Sequence, residues 1–173
     1  MEREPSIAIY PGTFDPLTNG HLSLIRRACT IFDQVIVAVA NDTPKSPLFT
    51  IDERVSMAQE ALAGNPNVSV EPFSGMTVDL ADRVGAKVIV RGLRAVSDFE
   101  YEFQLALINR KMKRHIQTVF LMTDYQWFYI SSTIVKAAAQ IGGDIKGMVP
   151  DTIYFRLREK FGYPYPLAED PAP

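Results

Sequence analysis

The sequence predicts a single-domain α/β fold, a doubly wound five-stranded parallel sheet with helices on both faces. Three observations lead there. Strand-like runs recur at residues 7–10, 34–40, 68–72, 87–90 and 118–122, and most are continuously apolar, as strands buried on both faces are. Segments with apolar residues at helical spacing separate these runs, so each strand feeds a helix and returns by a right-handed crossover. The chain has 173 residues, 47% of them hydrophobic and 22% charged, which is ordinary for one globular domain able to bury a core.

The first strand, residues 7–10, is expected to stop at Pro11-Gly12, because proline donates nothing to a ladder and glycine admits unusual backbone angles. Helical periodicity begins at Leu22 and continues through Leu24, Ile25, Ala28, Cys29 and Phe32, with Thr18 or Asn19 as the N-cap. A loop that opens a helix offers unpaired N–H groups and the positive end of a dipole, which suit phosphate. Gly12 and Gly20 allow close backbone approach, and His21 falls in the first helical turn. The stretch is neither Gly-x-Gly-x-x-Gly nor a loop ending in Gly-Lys-Ser/Thr, so it argues for another kind of nucleotide site. Cys29, at an apolar helix position, reads as a core residue, and a lone cysteine excludes a disulfide framework.

The second strand, 34–40, runs into a polar loop, 41–47, that carries Lys45 between two prolines at the end of the sheet where open α/β folds bind ligands. Thr50-Ile51-Asp52-Glu53 is a capping box for a helix to about residue 63, with Val55, Met57, Ala58 and Leu62 as its apolar side. Gly64-Asn65-Pro66 ends it. A third strand, 68–72, leads through Phe73-Ser74-Gly75-Met76-Thr77 to a short helix over 78–84. The fourth strand, 87–90, enters Arg91-Gly92-Leu93-Arg94, where two guanidinium forks match phosphate oxygens. In a Rossmann-like sheet of order 3-2-1-4-5, strands 1 and 4 adjoin at the topological switch point, so this stretch and the first loop face one crevice.

Ser97 or Asp98 is expected to cap a long helix with Phe99, Phe103, Ala106, Leu107 and Met112 suited to burial. Lys111, Lys113 and Arg114 crowd its C-terminal end, as the dipole favours, and Glu102, Leu105 and Asn109 share another face. The fifth strand, 118–122, precedes a loop, 124–130, that holds the single tryptophan, Trp127. Ser131-Ser132-Thr133 opens a helix containing Ile134, Val135, Ala137, Ala138 and Ile141. Those hydroxyls serve as caps or, beside the crevice, as a third anion site to which Lys136 adds charge. A last short helix runs from Pro150 to about residue 161. Residues 1–161 are thus expected to form the domain and 162–173 a Pro-rich tail.

A net charge of −2 gives no bulk attraction to nucleic acid or membrane. No apolar run has spanning length, and His21, His115 and Cys29 fit no familiar zinc spacing. A cytoplasmic enzyme is expected, with no nucleic acid and no membrane among its partners.

Tyr10-Pro11-Gly12-Thr13-Phe14-Asp15-Pro16-Leu17-Thr18-Asn19-Gly20-His21 resembles the signature of nucleotidyltransferases with a (His/Thr)-x-Gly-His motif. Its threonine form is similar to that of the phosphopantetheine adenylyltransferases of coenzyme A synthesis. Arg91-Gly92-Leu93-Arg94-Ala95-Val96-Ser97-Asp98-Phe99-Glu100-Tyr101-Glu102 and Trp127-Phe128-Tyr129-Ile130-Ser131-Ser132-Thr133 resemble the second and third signatures of that family. The resemblance implies transfer of AMP from ATP to 4′-phosphopantetheine, Mg²⁺ accompanying the triphosphate, and a homohexamer. It implies that Thr13 and Lys45 hold the attacking phosphate and that His21 donates to the α-phosphate. Arg94, Ser132 and Thr133 would take the β- and γ-phosphates. Thr13 as well, with Phe14, Gly92, Leu93, Glu102, Trp127, Phe128, Tyr129, Ile130 and Ser131, would complete the ATP site. Met76, Thr77 and Arg91 would face the pantetheine arm. The attacking phosphate monoester, with a second pKa of about 6, is largely dianionic near neutrality and needs no general base, so Asp15 is expected to shape the turn. Two other readings stand beside this one: a nicotinate mononucleotide adenylyltransferase or cytidylyltransferase of the same fold, and a non-catalytic nucleotide-binding module.

Overall fold

The computed structural model describes residues 4–43, 46–94 and 96–163. Lys45 and residues 164–173 of the tail lie outside them. The chain runs β1 (Ile7–Gly12), α1 (Asn19–Ala28), β2 (Gln34–Ala40), α2 (Ile51–Leu62), β3 (Val68–Phe73), α3 (Thr77–Arg83), β4 (Val88–Leu93), α4 (Val96–Met112), β5 (Gln117–Met122), a 3₁₀ turn (Tyr125–Trp127), α5 (Ser132–Gln140) and α6 (Asp151–Lys160). The strands form one sheet in the order β3-β2-β1-β4-β5, every pair parallel, as the alternation of runs predicts.

The pleat distributes the core. Ala8 and Tyr10 of β1 and Val35, Val37 and Val39 of β2 meet Leu22, Ile25, Met57, Val135, Ile153 and Leu157 from α1, α2, α5 and α6 on one face. Ile9, Ile36 and Ala38 meet Val78, Leu80 and Ala81 of α3 on the other. Alternate residues of a strand point to opposite faces, so two helical layers require apolar residues at nearly every position.

Two strands outrun their expected ends. β1 continues through Pro11 and Gly12, which pair with Ala38 and Val39 of β2. Gln34 N donates to Ser6 O, so the even-numbered residues of β1 turn their polar groups to β2 and Pro11 turns toward β4. The β1–β4 pairing covers only Ala8 and Ile9, and proline therefore breaks no ladder bond. β4 in turn includes Arg91, Gly92 and Leu93, paired with Phe120, Leu121 and Met122 of β5; these three are strand residues, not a loop. The parting of β1 from β4 past Ile9 opens the crevice.

α4 also departs from expectation. It starts at Val96, two or three residues earlier than a cap at Ser97 or Asp98 requires. Phe99, Phe103, Leu107 and Met112, expected to be buried, are between 42% and 53% exposed. Tyr101 and Ile108 are exposed as well, and the helix has no single apolar face. On α5, Ile134 and Ile141 also point outward while Val135 and Ala139 are buried.

Candidate functional site

The crevice, about 300 Å³, lies at the carboxyl ends of β1 and β4. Residues Tyr10, Pro11, Gly12, Thr13 and Phe14 line one side, and Arg91, Gly92, Arg94 and Glu102 the other. The first turn of α1, with Gly20 and His21, and Ile130, Ser131, Ser132 and Thr133 at the start of α5 complete it. The three stretches singled out in the sequence therefore converge on one space.

His21 is built into the start of its helix. Thr18 is the N-cap of α1 and closes a capping box with His21 as its third residue. Thr18 N donates to His21 Nδ1 at 3.0 Å. A ring nitrogen that accepts from a backbone N–H carries no proton, so the proton of the neutral ring is on Nε2. Phe14 packs edge-on against the imidazole at 5.2 Å between centroids, with the Tyr10 ring beyond it. Burial, and secondarily the Arg94 cation, push the His21 pKa down to about 4. Near neutral pH the group is therefore an uncharged N–H donor of fixed tautomer.

The loop before the helix is held from below. Asp15 is 3% exposed; its carboxylate accepts from Leu48 N at 2.9 Å and Phe49 N at 3.0 Å and is ion-paired with Lys136 Nζ. That pairing corrects the expectation that Lys136 adds charge to an anion site: its ammonium serves the turn. Gly12 and Gly92 line the crevice, and packing also requires them. A Cβ at Gly12 would lie 2.8 Å from the Phe14 ring, and one at Gly92 2.3 Å from Leu24 Cδ1. Phe14 itself, at φ 47°, occupies the left-handed region and turns the chain from β1 toward α1.

The arginines are engaged differently. Arg91 Nε is 3.2 Å from Glu102 Oε2, and its Nη1 donates to Pro11 O at 3.5 Å. Arg94 lies beyond β4, its Nε 3.2 Å from Asp98 Oδ2 and its Nη1 3.4 Å from Ile130 O. At α5, Ser131 Oγ accepts from Ile134 N as the cap, and Ser132 Oγ donates to Pro16 O at 2.7 Å. Two of the three hydroxyls are thus tied to the chain, while Thr133 also lines the crevice. Ile134 N is taken by the cap, and the N–H groups of Ser132 and Thr133 remain as anion donors at the start of α5.

Other candidates are placed elsewhere. Met76 is the N-cap of α3 and Thr77 its first residue, and neither lines the crevice. Trp127 borders a separate hollow with Asn19, Arg26, Arg27 and Asp124; Phe128 and Tyr129 are exposed, and Leu93 is buried. Three contributors escaped the sequence reading. Arg54 is 1% exposed, and its position three before Met57 on the apolar stripe of α2 was the available signal. Tyr10 lines the crevice with its phenol pKa raised by burial. Thr123, 4% exposed, also lines it, and its Oγ1 has no hydrogen-bond partner among the described residues. Among these residues no three His, Cys, Asp or Glu side chains are grouped to hold a metal ion.

The cytidylyltransferase-like family model matches residues 9–138, which takes in all three motifs. A phosphopantetheine adenylyltransferase of Oleidesulfovibrio alaskensis is 80% identical over 161 residues, covering 93% of this chain and 95% of that protein. Those of Nitratidesulfovibrio vulgaris and Solidesulfovibrio magneticus are 74% and 62% identical, over 93% and 90% of this chain and 87% and 91% of theirs. A crystal structure of a putative nicotinate-nucleotide adenylyltransferase from Vibrio parahaemolyticus aligns with TM-score 0.67 at 20% identity, covering 91% of this chain and 94% of that one. At that identity the likeness concerns the fold.

Proposed function

The chain belongs to the phosphopantetheine adenylyltransferases, and from that premise we propose how its crevice divides the reaction among its residues. The enzyme transfers the AMP moiety of ATP to 4′-phosphopantetheine, giving dephospho-coenzyme A and pyrophosphate. The acceptor's phosphate attacks the α-phosphorus, the new P–O bond forms as the bond to the β-phosphate oxygen breaks, and pyrophosphate departs with that electron pair. The acceptor arrives deprotonated, so the protein's task is placement and stabilisation of charge.

His21 carries the reading. Its Nδ1 is occupied by Thr18 N, which directs the one remaining ring proton, on Nε2, to the α-phosphate oxygens as charge builds there. A ring with its pKa near 4 gives this hydrogen bond without passing its proton on, since a phosphate oxygen is a weaker base than the imidazolate that would be left. Arg94, Ser132, Thr133 and the N-terminus of α5 take the departing β- and γ-phosphates. Arg94 must exchange Asp98 for phosphate when ATP binds. Phe14, Gly92, Leu93, Glu102, Ser131 and the segment from Trp127 to Ile130 form the rest of the ATP site. Thr13 and Lys45 hold the attacking phosphate, with Arg91, Met76 and Thr77 toward the pantetheine arm. Mg²⁺ enters with the triphosphate as part of the substrate; Glu102, which lines the crevice, and Asp15 and Asp98, which do not, already face cations.

The enzyme is a homohexamer of the cytoplasm in this reading; the apolar surface of α4 supports assembly as such, because a lone chain would leave Phe99, Phe103, Leu107 and Ile108 in water. No described helix is long and apolar enough to cross a membrane. Pyrophosphate release from ATP with each acceptor at equal concentration tests the assignment. Activity is expected with 4′-phosphopantetheine, and a rate with nicotinate mononucleotide equal to or above it would move the chain to the other adenylyltransferase reading.

A further inference from the structure

Arg54 is a nearly fully buried arginine, 1% exposed, in the second turn of α2, and no residue role proposed above uses it. Its guanidinium makes three hydrogen bonds, all to main-chain carbonyls. Nε donates to Phe49 O at 3.1 Å, and Nη1 donates to Thr13 O at 2.7 Å and to Ala40 O at 2.8 Å. Ala40 ends β2, Phe49 stands just before the cap of α2, and Thr13 follows β1. One planar cation thus joins both ends of the β2–α2 connection to the loop that leads to His21. Asp15 completes the junction from the other side, because its carboxylate accepts from Phe49 N at 3.0 Å. Phe49 is therefore held through its carbonyl by Arg54 and through its N–H by Asp15.

A buried guanidinium is an expensive way to fill an apolar stripe. Desolvation lowers its pKa, opposed by the Asp15 charge, and an apolar side chain of similar volume usually serves stability as well or better. What the fork supplies instead is direction: fixed N–H vectors that set three chain segments relative to one another. Those segments all lie on the β2 side of β1. None belongs to β4, β5 or α5, which carry the proposed triphosphate contacts.

We propose that Arg54 is a positioning residue for the acceptor phosphate, setting Thr13 at the end of β1 against the end of β2 and the start of α2. This rests on the reading of Thr13 as an acceptor-phosphate contact. The test is steady-state kinetics of the assembled enzyme carrying Arg54→Lys or Arg54→Met, with Thr13→Val as reference and melting temperatures alongside. Lysine keeps the charge but has no planar fork, so Arg54→Lys is expected to raise the KM for 4′-phosphopantetheine by about 10-fold while the ATP KM stays within about 3-fold. A lower melting temperature with both KM values unchanged, or an equal rise in both, would overturn the proposal. If Thr13→Val leaves the acceptor KM unchanged, it is the reading of Thr13 that fails, whichever way Arg54 behaves. Should neither Arg54 variant fold, Asp15→Asn, which weakens the hold on Phe49 N, is expected to give the same split in smaller measure, and equal changes in both KM values would count against it.

Discussion

The turn from β1 into α1 and the long helix α4 both carry large apolar and aromatic residues, yet those of the first are buried within the chain and most of those of the second are not. Between Tyr10 and His21, Tyr10, Phe14, Leu17, Asp15 and Thr18 are at most 5% exposed, and Asp15, Thr18 and His21 all have partners. Along α4, by contrast, six large apolar or aromatic side chains face outward, and no residue of the helix belongs to either core cluster among the described residues. The first region closes on itself because two neighbouring loops and α5 supply donors and acceptors for its polar atoms. The second leaves its large apolar side chains open to solvent in the single chain. Pre-organised chemistry and unfinished packing thus meet at the carboxyl end of β4, where Glu102 of α4 lines the crevice.

The largest effects should come from breaking the finished region at its chemical end. His21→Ala is expected to lower kcat by about 10²-fold or more, as loss of one oxyanion donor does, with the ATP KM changing less than about threefold. Turnover within threefold of the unsubstituted enzyme would remove His21 from the transition state. Arg94→Ala is expected to reduce kcat/KM for ATP by roughly 10²-fold through a raised KM, the size of lost charged hydrogen bonds. An unchanged ATP KM would show that the Asp98 pair is its whole purpose. The contrast between these two variants, kcat against KM, separates a donor locked in place from one that must change partners.

Gly92→Ala probes the packing beneath the crevice. Its Cβ would lie 2.3 Å from Leu24 Cδ1, an overpacking expected to cost about 1–3 kcal/mol and to be seen as a lower melting temperature. Leu24→Val in the same chain should return part of it, and full stability of Gly92→Ala alone would show that Leu24 moves freely. On α4 the expectation is reversed. Leu107→Glu, at a position 53% exposed, should leave the far-ultraviolet circular dichroism unchanged while light scattering reports a smaller assembly. An unsubstituted chain that is monomeric at micromolar concentration would defeat the comparison outright.

A further effect concerns pH. His21 has a folded pKa of about 4 against 6.5 for the free group, so on acidification the unfolded chain takes up a proton that the native chain refuses. Above pH 6.5 the group is neutral in both states and contributes nothing. Between about 6.5 and about 4 stability is expected to fall with decreasing pH, by up to about 1.4 kcal/mol per unit from this group. Urea unfolding at pH 7 and 5, with and without His21→Gln, measures it. An equal acid loss in both proteins would place the responsible group elsewhere.

What could be read along the chain follows from local physics. The capping box at Thr50, the strand–helix alternation and the order of the three phosphate-facing motifs depend on residues within a few positions of one another, where spacing determines geometry. The capping box at Thr50 and Glu53 is as expected, and Thr18 rather than Asn19 caps α1. The sheet order is the one expected of the Rossmann-like class, one of several that alternation and right-handed crossovers allow. The partners of single charged groups do not follow from local spacing. Lys136 meets Asp15 across 121 residues of sequence, and Arg54 meets Thr13 across 41. A lysine near a helix start looks the same in sequence whether it faces phosphate or a buried carboxylate. The apolar residues of α4 are ambiguous for the same reason: hydrophobicity records that a side chain leaves water, while the surface that receives it is decided only when distant elements, or other chains, come to lie beside it.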